Sequence, residues 1–213
     1  LGVLVVDSCG HSIHSAMLSA EVRGYIRGLS TKCGDLARIL DLTETLLRGA
    51  PGPGDFVTGI FLELSTDNRT LSYIGAGHPP SHIIDQTGHV RAVLHSIAPP
   101  LGIGTHKPRP FCSSTVAINP GDLILLNTDG VTEAMSPAGE PFGSDRMLRC
   151  ITEHRRQNPD QILNCLFDTL ADFCQGVSRD DTTAVVIKVD IANPAGTSAS
   201  EPGWCSRDRS KTA

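Results

Sequence analysis

The sequence of 213 residues lacks long apolar runs, an excess of positive charge and any Cys-x-x-Cys pair. A helix that crosses a bilayer needs roughly 20 consecutive apolar residues, and the first residues do not show the charged-then-apolar pattern of a secretory leader. The formal net charge of −5 argues against nucleic acid as a partner, because a protein that binds the phosphate backbone needs a basic surface. We therefore expect a cytoplasmic domain that contacts neither a membrane nor nucleic acid.

The cysteines are odd in number and scattered along the chain. They stand at Cys9, Cys33, Cys112, Cys150, Cys165, Cys174 and Cys205. This spacing indicates neither a disulfide framework nor a zinc site, so we expect most of these side chains to be small buried groups in a reducing compartment. Cys9 and His11 could suggest a thiol protease, but no separate base accompanies them.

The clearest local organisation lies between residues 119 and 134. Asn119-Pro120-Gly121 has the composition of a tight turn, and the apolar run Leu123-Ile124-Leu125-Leu126 is too short for a helix, which favours a buried strand. The chain then breaks at Thr128-Asp129-Gly130, where we expect a loop that presents the carboxylate of Asp129. Taken alone, Asp129 is better explained as a residue that merely caps a turn.

The same arrangement of strand and carboxylate occurs at two other places in the chain. Asp7 follows the apolar strand predicted at 3–6, and Asp180 and Asp181 precede a strand predicted at 182–189. Oxygen ligands without paired His or Cys favour a hard cation such as Mg²⁺ or Mn²⁺, and such a cation relieves the repulsion between neighbouring carboxylates. Two ions roughly 3.5–4 Å apart could activate a bridging water and bind a phosphoryl oxygen. This chemistry suits the hydrolysis of a phosphate ester.

Hydrophobic periodicity predicts a mixed chain of helices and antiparallel strands. The predicted helices are 13–29, 35–48, 145–156 and 159–175, and the remaining predicted strands are 56–64, 70–75, 81–84, 90–93 and 111–118. Ser12, Ser144 and Asn158 are the expected N-caps. Residues 1–190 are expected to form one domain, and the Pro-, Gly- and Ser-rich residues 191–213 a disordered tail.

Several short motifs resemble, in their order, those of the SpoIIE/RsbU-type bacterial serine phosphatases, which belong to the metal-dependent, type 2C-like protein phosphatases. The motifs are Asp7-Ser8-Cys9-Gly10-His11-Ser12, Ala76-Gly77-His78-Pro79-Pro80, Pro99-Pro100-Leu101-Gly102, Asn119-Pro120-Gly121-Asp122 with Thr128-Asp129-Gly130-Val131-Thr132-Glu133-Ala134, and Asp180-Asp181-Thr182. The resemblance covers residues 1 to about 190. It implies an α+β fold, an α-β-β-α sandwich of two central antiparallel sheets flanked by helices, with metals at one edge.

The resemblance also implies a site and a reaction. Asp7 would bridge two Mn²⁺ or Mg²⁺ ions, the Ser8 carbonyl would complete one of them, and Asp129 and Asp180 would hold one ion with Asp181 adjacent. Metal-bound water would attack the phosphate ester of a phosphoserine or phosphothreonine. The implied substrate is a phosphorylated anti-sigma-factor antagonist, and the full-length chain would carry an upstream sensor or receiver domain.

Two departures from the family pattern concern the start of the chain. The family usually has Gly at the place of Ser12, and it has a further metal-site Asp upstream of the first strand. Because Leu1 already lies in that strand, we expect the domain to be N-terminally truncated. The Pro-rich loops and His78 are interpreted as structural, and Glu133 as either a neighbour of the metals or a solvated carboxylate.

Two other functions are alternatives to a metal-dependent phosphatase. A haloacid-dehalogenase-like phosphatase shares a strand followed by an Asp-x-Asp-Gly pattern, but the place of its nucleophile is taken here by Asn127, whose amide cannot serve. A catalytically silent regulatory or binding module with the same fold is the alternative from another class. The carboxylates of Asp7, Asp129 and Asp180 argue against a pure scaffold, because a scaffold gains nothing from buried carboxylates at strand ends.

Overall fold

The computed structural model describes residues 1–10, 13–48, 55–65, 67, 69–103, 110–175 and 180–190. The predicted disordered tail at 191–213 and the predicted N-cap Ser12 lie outside the described residues. Among the described helices, none combines the length and the apolar content that crossing a bilayer requires.

The described residues form five helices and eight strands. The helices are α1 (Ile13–Ser30), α2 (Leu36–Leu47), α3 (Asp129–Thr132), α4 (Gly143–His154) and α5 (Pro159–Cys174). The strands are β1 (Gly2–Ser8), β2 (Val57–Ser65), β3 (Thr70–Ala76), β4 (Ser81–Ile84), β5 (Val90–Leu94), β6 (Ser114–Ala117), β7 (Leu123–Asn127) and β8 (Ala184–Lys188).

The strands form two four-stranded antiparallel sheets. The first has the order β1-β2-β3-β6 and the second β5-β4-β7-β8. Helices α1 and α2 cover the outer face of the first sheet, and α4 and α5 cover that of the second. A third apolar cluster lies between the sheets. The predicted α-β-β-α sandwich is confirmed.

The packing of β7 explains why its sequence is apolar at consecutive positions. Leu123 and Leu125 pack against α4 and α5, whereas Ile124 and Leu126 face the first sheet. Because both faces of the strand are covered, the usual alternation of apolar and polar residues disappears.

Local signals predicted the start of α5 correctly but not that of α4. The Asn158 Oδ1 accepts from the Gln161 amide at 2.8 Å, and the Gln161 side chain returns a bond to the Asn158 amide, which completes a capping box. The prediction of Ser144 as the cap of α4 is wrong, since the helix already begins at Gly143. The buried ring of Phe142 packs on Phe173 with centroids 5.3 Å apart, so tertiary packing rather than cap chemistry sets this start.

Two further expectations need correction. The strand predicted at 111–118 is limited to β6, because the Phe111 amide donates to Asp41 Oδ1 at 3.0 Å instead of joining the sheet. Of the six described cysteines, all free, only Cys150 and Cys174 are buried, so the expectation that most are core residues is wrong for the described part of the chain.

Candidate metal centre

Four aspartates at strand ends share one end of the sandwich. Asp7 lies near the end of β1, opposite Thr58 of β2. Asp129 follows β7, and Asp180 and Asp181 precede β8, which pairs with β7 so that Asn127 lies opposite Ala184. The antiparallel pairing therefore places the end of β7 beside the start of β8.

The electrostatics of Asp7 show that the two sheets meet at this end. Burial, followed by the charges of Asp129, Asp180 and Asp181 and a side-chain hydrogen bond with Asp129, raises the pKa of the Asp7 carboxyl from 3.8 to about 6. A like charge disfavours ionisation only when it is near. The carboxylate of the first sheet therefore faces three carboxylates of the second.

The pairing of β7 with β8 continues beyond the strands and fixes the backbone next to Asp129 and Asp181. The Thr128 amide donates to the Thr183 carbonyl at 3.0 Å, and the Thr183 amide donates to Thr128 Oγ1 at 3.1 Å. Gly130 allows the close approach, because a Cβ on this residue would lie 2.2 Å from the Asp181 carbonyl oxygen. The close packing against Asp181 therefore requires glycine at position 130, a requirement that the turn-like sequence alone did not reveal.

Asp129 is the first residue of the single helical turn α3, and the predicted loop is wrong at this point. Its carbonyl accepts from the Glu133 amide at 2.7 Å, and Glu133 itself is exposed. The Asp129 Oδ1 is buried and has no hydrogen-bond donor among the residues that the structure describes. A buried carboxylate oxygen without a donor is unfavourable unless a cation satisfies it.

The other predicted ligands have well-defined surroundings. Ser8 is the last residue of β1, and the ladder with β2 continues into the next residue, whose amide donates to the Phe56 carbonyl at 3.0 Å. Asp180 and Asp181 are exposed, and the Asp181 amide donates to Asp180 Oδ1 at 2.8 Å. The Ser8 backbone and both carboxylates thus border the same end as Asp7 and Asp129.

The carboxylates approach one another without closing around a common point. Within the described ranges, no three Asp, Glu, His or Cys side chains are close enough to hold a metal ion as they stand. The candidate ligand atoms are nonetheless all oxygens, and one of them, Asp129 Oδ1, is buried without a hydrogen-bond partner in the described part of the chain. This chemistry fits a hard divalent cation such as Mg²⁺ or Mn²⁺ and does not fit zinc.

His78 lies at the same end, although sequence reasoning treated it as structural. Its side chain is 4% exposed, and Nδ1 is 3.1 Å from Thr58 Oγ1. Burial lowers the pKa of the imidazole to about 4, although the Asp129 charge and the Asn127 carbonyl oppose that shift. The strand order could have indicated the position of His78, which follows β3. In an antiparallel sheet with β1, β2 and β3 as neighbours, the end of β3 lies beside the start of β2 and the end of β1.

Comparisons with known proteins identify a family and similar sequences. The model of the family described as Stage II sporulation protein E (SpoIIE) matches residues 1–190. Protein IcfG of Synechocystis sp. is 32% identical over 133 residues, which make up 62% of this chain and 20% of that protein. Phosphoserine phosphatase RsbU of Bacillus subtilis is 21% identical over 188 residues, 88% of this chain and 55% of that protein.

The fold also matches solved structures. The SiaA-PP2C domain of Pseudomonas aeruginosa superimposes with a TM-score of 0.77 at 24% identity, covering 89% of this chain and 76% of that chain. The matches to the two curated relatives span 20% and 55% of their lengths.

Proposed function

The chain belongs to the Stage II sporulation protein E family of type 2C-like phosphatases, and we propose that it is a metal-dependent protein serine/threonine phosphatase. The observation that carries the proposal is the meeting of Asp7 with Asp129, Asp180 and Asp181 across the two sheets. Like charges held together in a partly buried site are unfavourable until a cation joins them. Family membership supports the phosphatase class, and the four carboxylates support this end of the sandwich as the place of the reaction.

Each residue has a proposed role at this end of the sandwich. Asp7 would bridge two Mn²⁺ or Mg²⁺ ions, with the Ser8 carbonyl beside it, while Asp129 and Asp180 would hold one ion and Asp181 would lie adjacent. When bound, such ions supply Lewis-acid activation of water and neutralise phosphoryl oxygens. The raised pKa of Asp7 makes ion binding release a proton when the carboxyl is protonated, so binding should strengthen as the pH rises. The Thr128 and Thr183 bonds keep Asp129 and Asp181 in place without a ligand.

The fold removes the haloacid-dehalogenase alternative. Asn127 is buried, and its Nδ2 donates to the Thr128 carbonyl at 3.0 Å, so the amide serves the turn after β7. The strands are antiparallel in both sheets, whereas the dehalogenase-like phosphatases need a parallel doubly wound sheet.

The proposed substrate is a phosphorylated protein of the anti-sigma-factor-antagonist type. The name of the relative RsbU, a phosphoserine phosphatase, supports hydrolysis of a phosphoserine ester. The full-length protein is proposed to carry an upstream sensor or receiver domain, since the match spans 55% of RsbU. A cytoplasmic location is proposed because the six described cysteines are free, as a reducing compartment would keep them.

Hydrolysis of p-nitrophenyl phosphate with and without Mn²⁺ tests the proposal. Activity should require Mn²⁺ and fall by about 100-fold or more in Asp129→Asn, because even groups that only orient a metal ligand contribute 10–100-fold. Asp168→Asn, an exposed carboxylate of the outer helix α5, is the matched control and should retain full activity. A folded wild-type chain that is inactive and shows no Mn²⁺-dependent thermal shift would favour the catalytically silent module instead.

A further inference from the structure

The hydrogen bonds between β7 and β8 change their pattern where the two strands end beside the aspartates. Thr128 follows β7 and Thr183 precedes β8, one position beyond the pair Asn127–Ala184. The Thr128 amide donates to the Thr183 carbonyl at 3.0 Å, and in a regular antiparallel ladder such a pair exchanges two backbone bonds. The Thr183 amide donates instead to Thr128 Oγ1 at 3.1 Å. A side-chain hydroxyl therefore takes the place of a backbone carbonyl in the ladder.

This replacement leaves the Thr128 carbonyl for the turn that follows. The carbonyl accepts from the Val131 amide at 3.2 Å and from Asn127 Nδ2 at 3.0 Å. The bond from Val131 closes the turn that begins α3, of which Asp129 is the first residue. A carbonyl that points across the ladder cannot also point along the chain to Val131. The hydroxyl thus lets strand pairing and the turn to Asp129 occur at one residue.

The same hydroxyl also contacts the segment that precedes β8. Thr128 Oγ1 donates to the Asp181 carbonyl over a longer distance of 3.4 Å, while it accepts from the Thr183 amide. A hydroxyl has one proton to donate and can accept as well, so the two bonds are compatible. Thr128 is 4% exposed, so water has little access to replace either bond. The backbone on both sides of Thr182 is thereby attached to the residue before Asp129.

We propose that Thr128 is a positioning residue whose hydroxyl fixes Asp129 relative to the segment that carries Asp180 and Asp181. This inference rests on the proposed function, since the relative position matters for a cation bound among these carboxylates. Valine has nearly the shape of threonine but would leave the Thr183 amide without its acceptor, and an unpaired amide in a buried place is unfavourable. Groups that orient metal ligands strengthen binding without touching the ion.

Calorimetric titration of the 213-residue chain with Mg²⁺ tests the role without measuring activity. Thr128→Val should weaken Mg²⁺ binding by about 10-fold or more, and Thr128→Ser, which keeps the hydroxyl, should retain most of the affinity. Thr43→Val is the matched control, because Thr43 is a fully buried threonine of α2 whose hydroxyl donates to the Ile39 carbonyl at 2.9 Å. This control should bind Mg²⁺ like the wild type even where its stability changes.

Two results of the titration would overturn the positioning role. The first is Thr128→Val binding Mg²⁺ as tightly as the wild type. The second is Thr128→Ser binding as weakly as Thr128→Val, which would show that the methyl group matters and the hydroxyl does not.

Amide hydrogen exchange of the metal-free wild-type chain keeps the proposal testable if Thr128→Val does not fold. The Thr183 amide should be protected to a similar degree as the Thr128 amide, because both take part in the same pair. Free exchange at Thr183 beside a protected Thr128 would overturn the proposal, since the hydroxyl would then hold no partner there. A wild-type chain that binds no Mg²⁺ although Thr183 is protected would instead overturn the proposed function, and the positioning role with it.

Discussion

Strand β7 has an aspartate at each end, and the two carboxylates have opposite surroundings. Asp122, before the strand, is 1% exposed, pairs with Arg91 and accepts from the Asn119 amide at 2.7 Å. Asp129, after the strand, has a buried oxygen that accepts from no donor among the residues the structure describes, and it lies next to the carboxylate of Asp7. Burial alone therefore does not distinguish a structural carboxylate from a functional one. The charge of the neighbouring groups distinguishes them. The Arg91 guanidinium satisfies the Asp122 carboxylate, whereas the charged neighbours of Asp129 are other carboxylates.

The largest effect on stability is expected from a substitution of Asp122, the carboxylate whose charge is already paired. Asp122→Asn removes the charge that pairs with the Arg91 guanidinium and leaves it only the Ala117 carbonyl at 2.8 Å, and breaking such a pair lowers the free energy of unfolding by about 3 kcal/mol. Urea denaturation measures this change. Mg²⁺ affinity of the folded variant should equal that of the wild type. A variant as stable as the wild type would remove the contrast between the two ends.

Gly130→Ala should have the next largest effect. The added Cβ would meet the Asp181 carbonyl oxygen at 2.2 Å, so β7 and β8 must separate where their aspartates lie. We expect a loss of about 2 kcal/mol in the free energy of unfolding, together with weaker Mg²⁺ binding in calorimetry. The matched control is Gly24→Ala in α1, where a Cβ meets nothing within 4 Å. It should be neutral or slightly stabilising, and equal effects of the two substitutions would contradict the steric argument.

The smallest effect is a change in how stability depends on pH in the absence of metal. Folding raises the pKa of Asp7 from 3.8 to about 6, so its contribution to stability is present below pH 3.8 and is lost as the pH rises through about 6. For His78 the pKa falls from 6.5 to about 4, so stability is instead lost as the pH falls below 6.5. The two contributions oppose each other between pH 4 and 6.

Asp7→Asn removes only the first contribution. The free energy of unfolding of the metal-free variant should therefore rise more steeply with pH than that of the wild type across the interval from 4 to 6. Urea denaturation at several pH values within that interval measures the slopes. Parallel curves for the two chains would show that Asp7 does not titrate as the structure indicates.

The sequence reveals the parts of this arrangement that depend on neighbouring residues in the chain. The apolar run of β7 with Asp129 after it and the capping box of α5 are local patterns, and the structure contains both. The start of α4 depends on Phe142 packing against Phe173, which no local pattern contains. The same holds for Gly130, whose small size is required by a residue far along the chain.

The convergence of the four aspartates depends least on residues that are neighbours in the chain. Which sheet each strand joins decides that Asp7 faces Asp129, and the motifs indicated that meeting only through resemblance to a known family. The burial of His78 likewise follows from Thr58 and Ser96, which belong to other strands and loops. A lone His beside two prolines therefore does not reveal this burial in the sequence.

Anomalous scattering from crystals grown with Mn²⁺ tests the central claim most directly. The account predicts Mn²⁺ at this end of the sandwich, with carboxylate oxygens of Asp7 and Asp129 as ligands at roughly 2.0–2.2 Å, the range seen for small divalent cations bound by oxygen. Asp129→Asn should remove or weaken the signal, and Asp122→Asn should leave it unchanged. Fully ordered crystals without an Mn²⁺ peak between Asp7 and Asp129 would contradict the account.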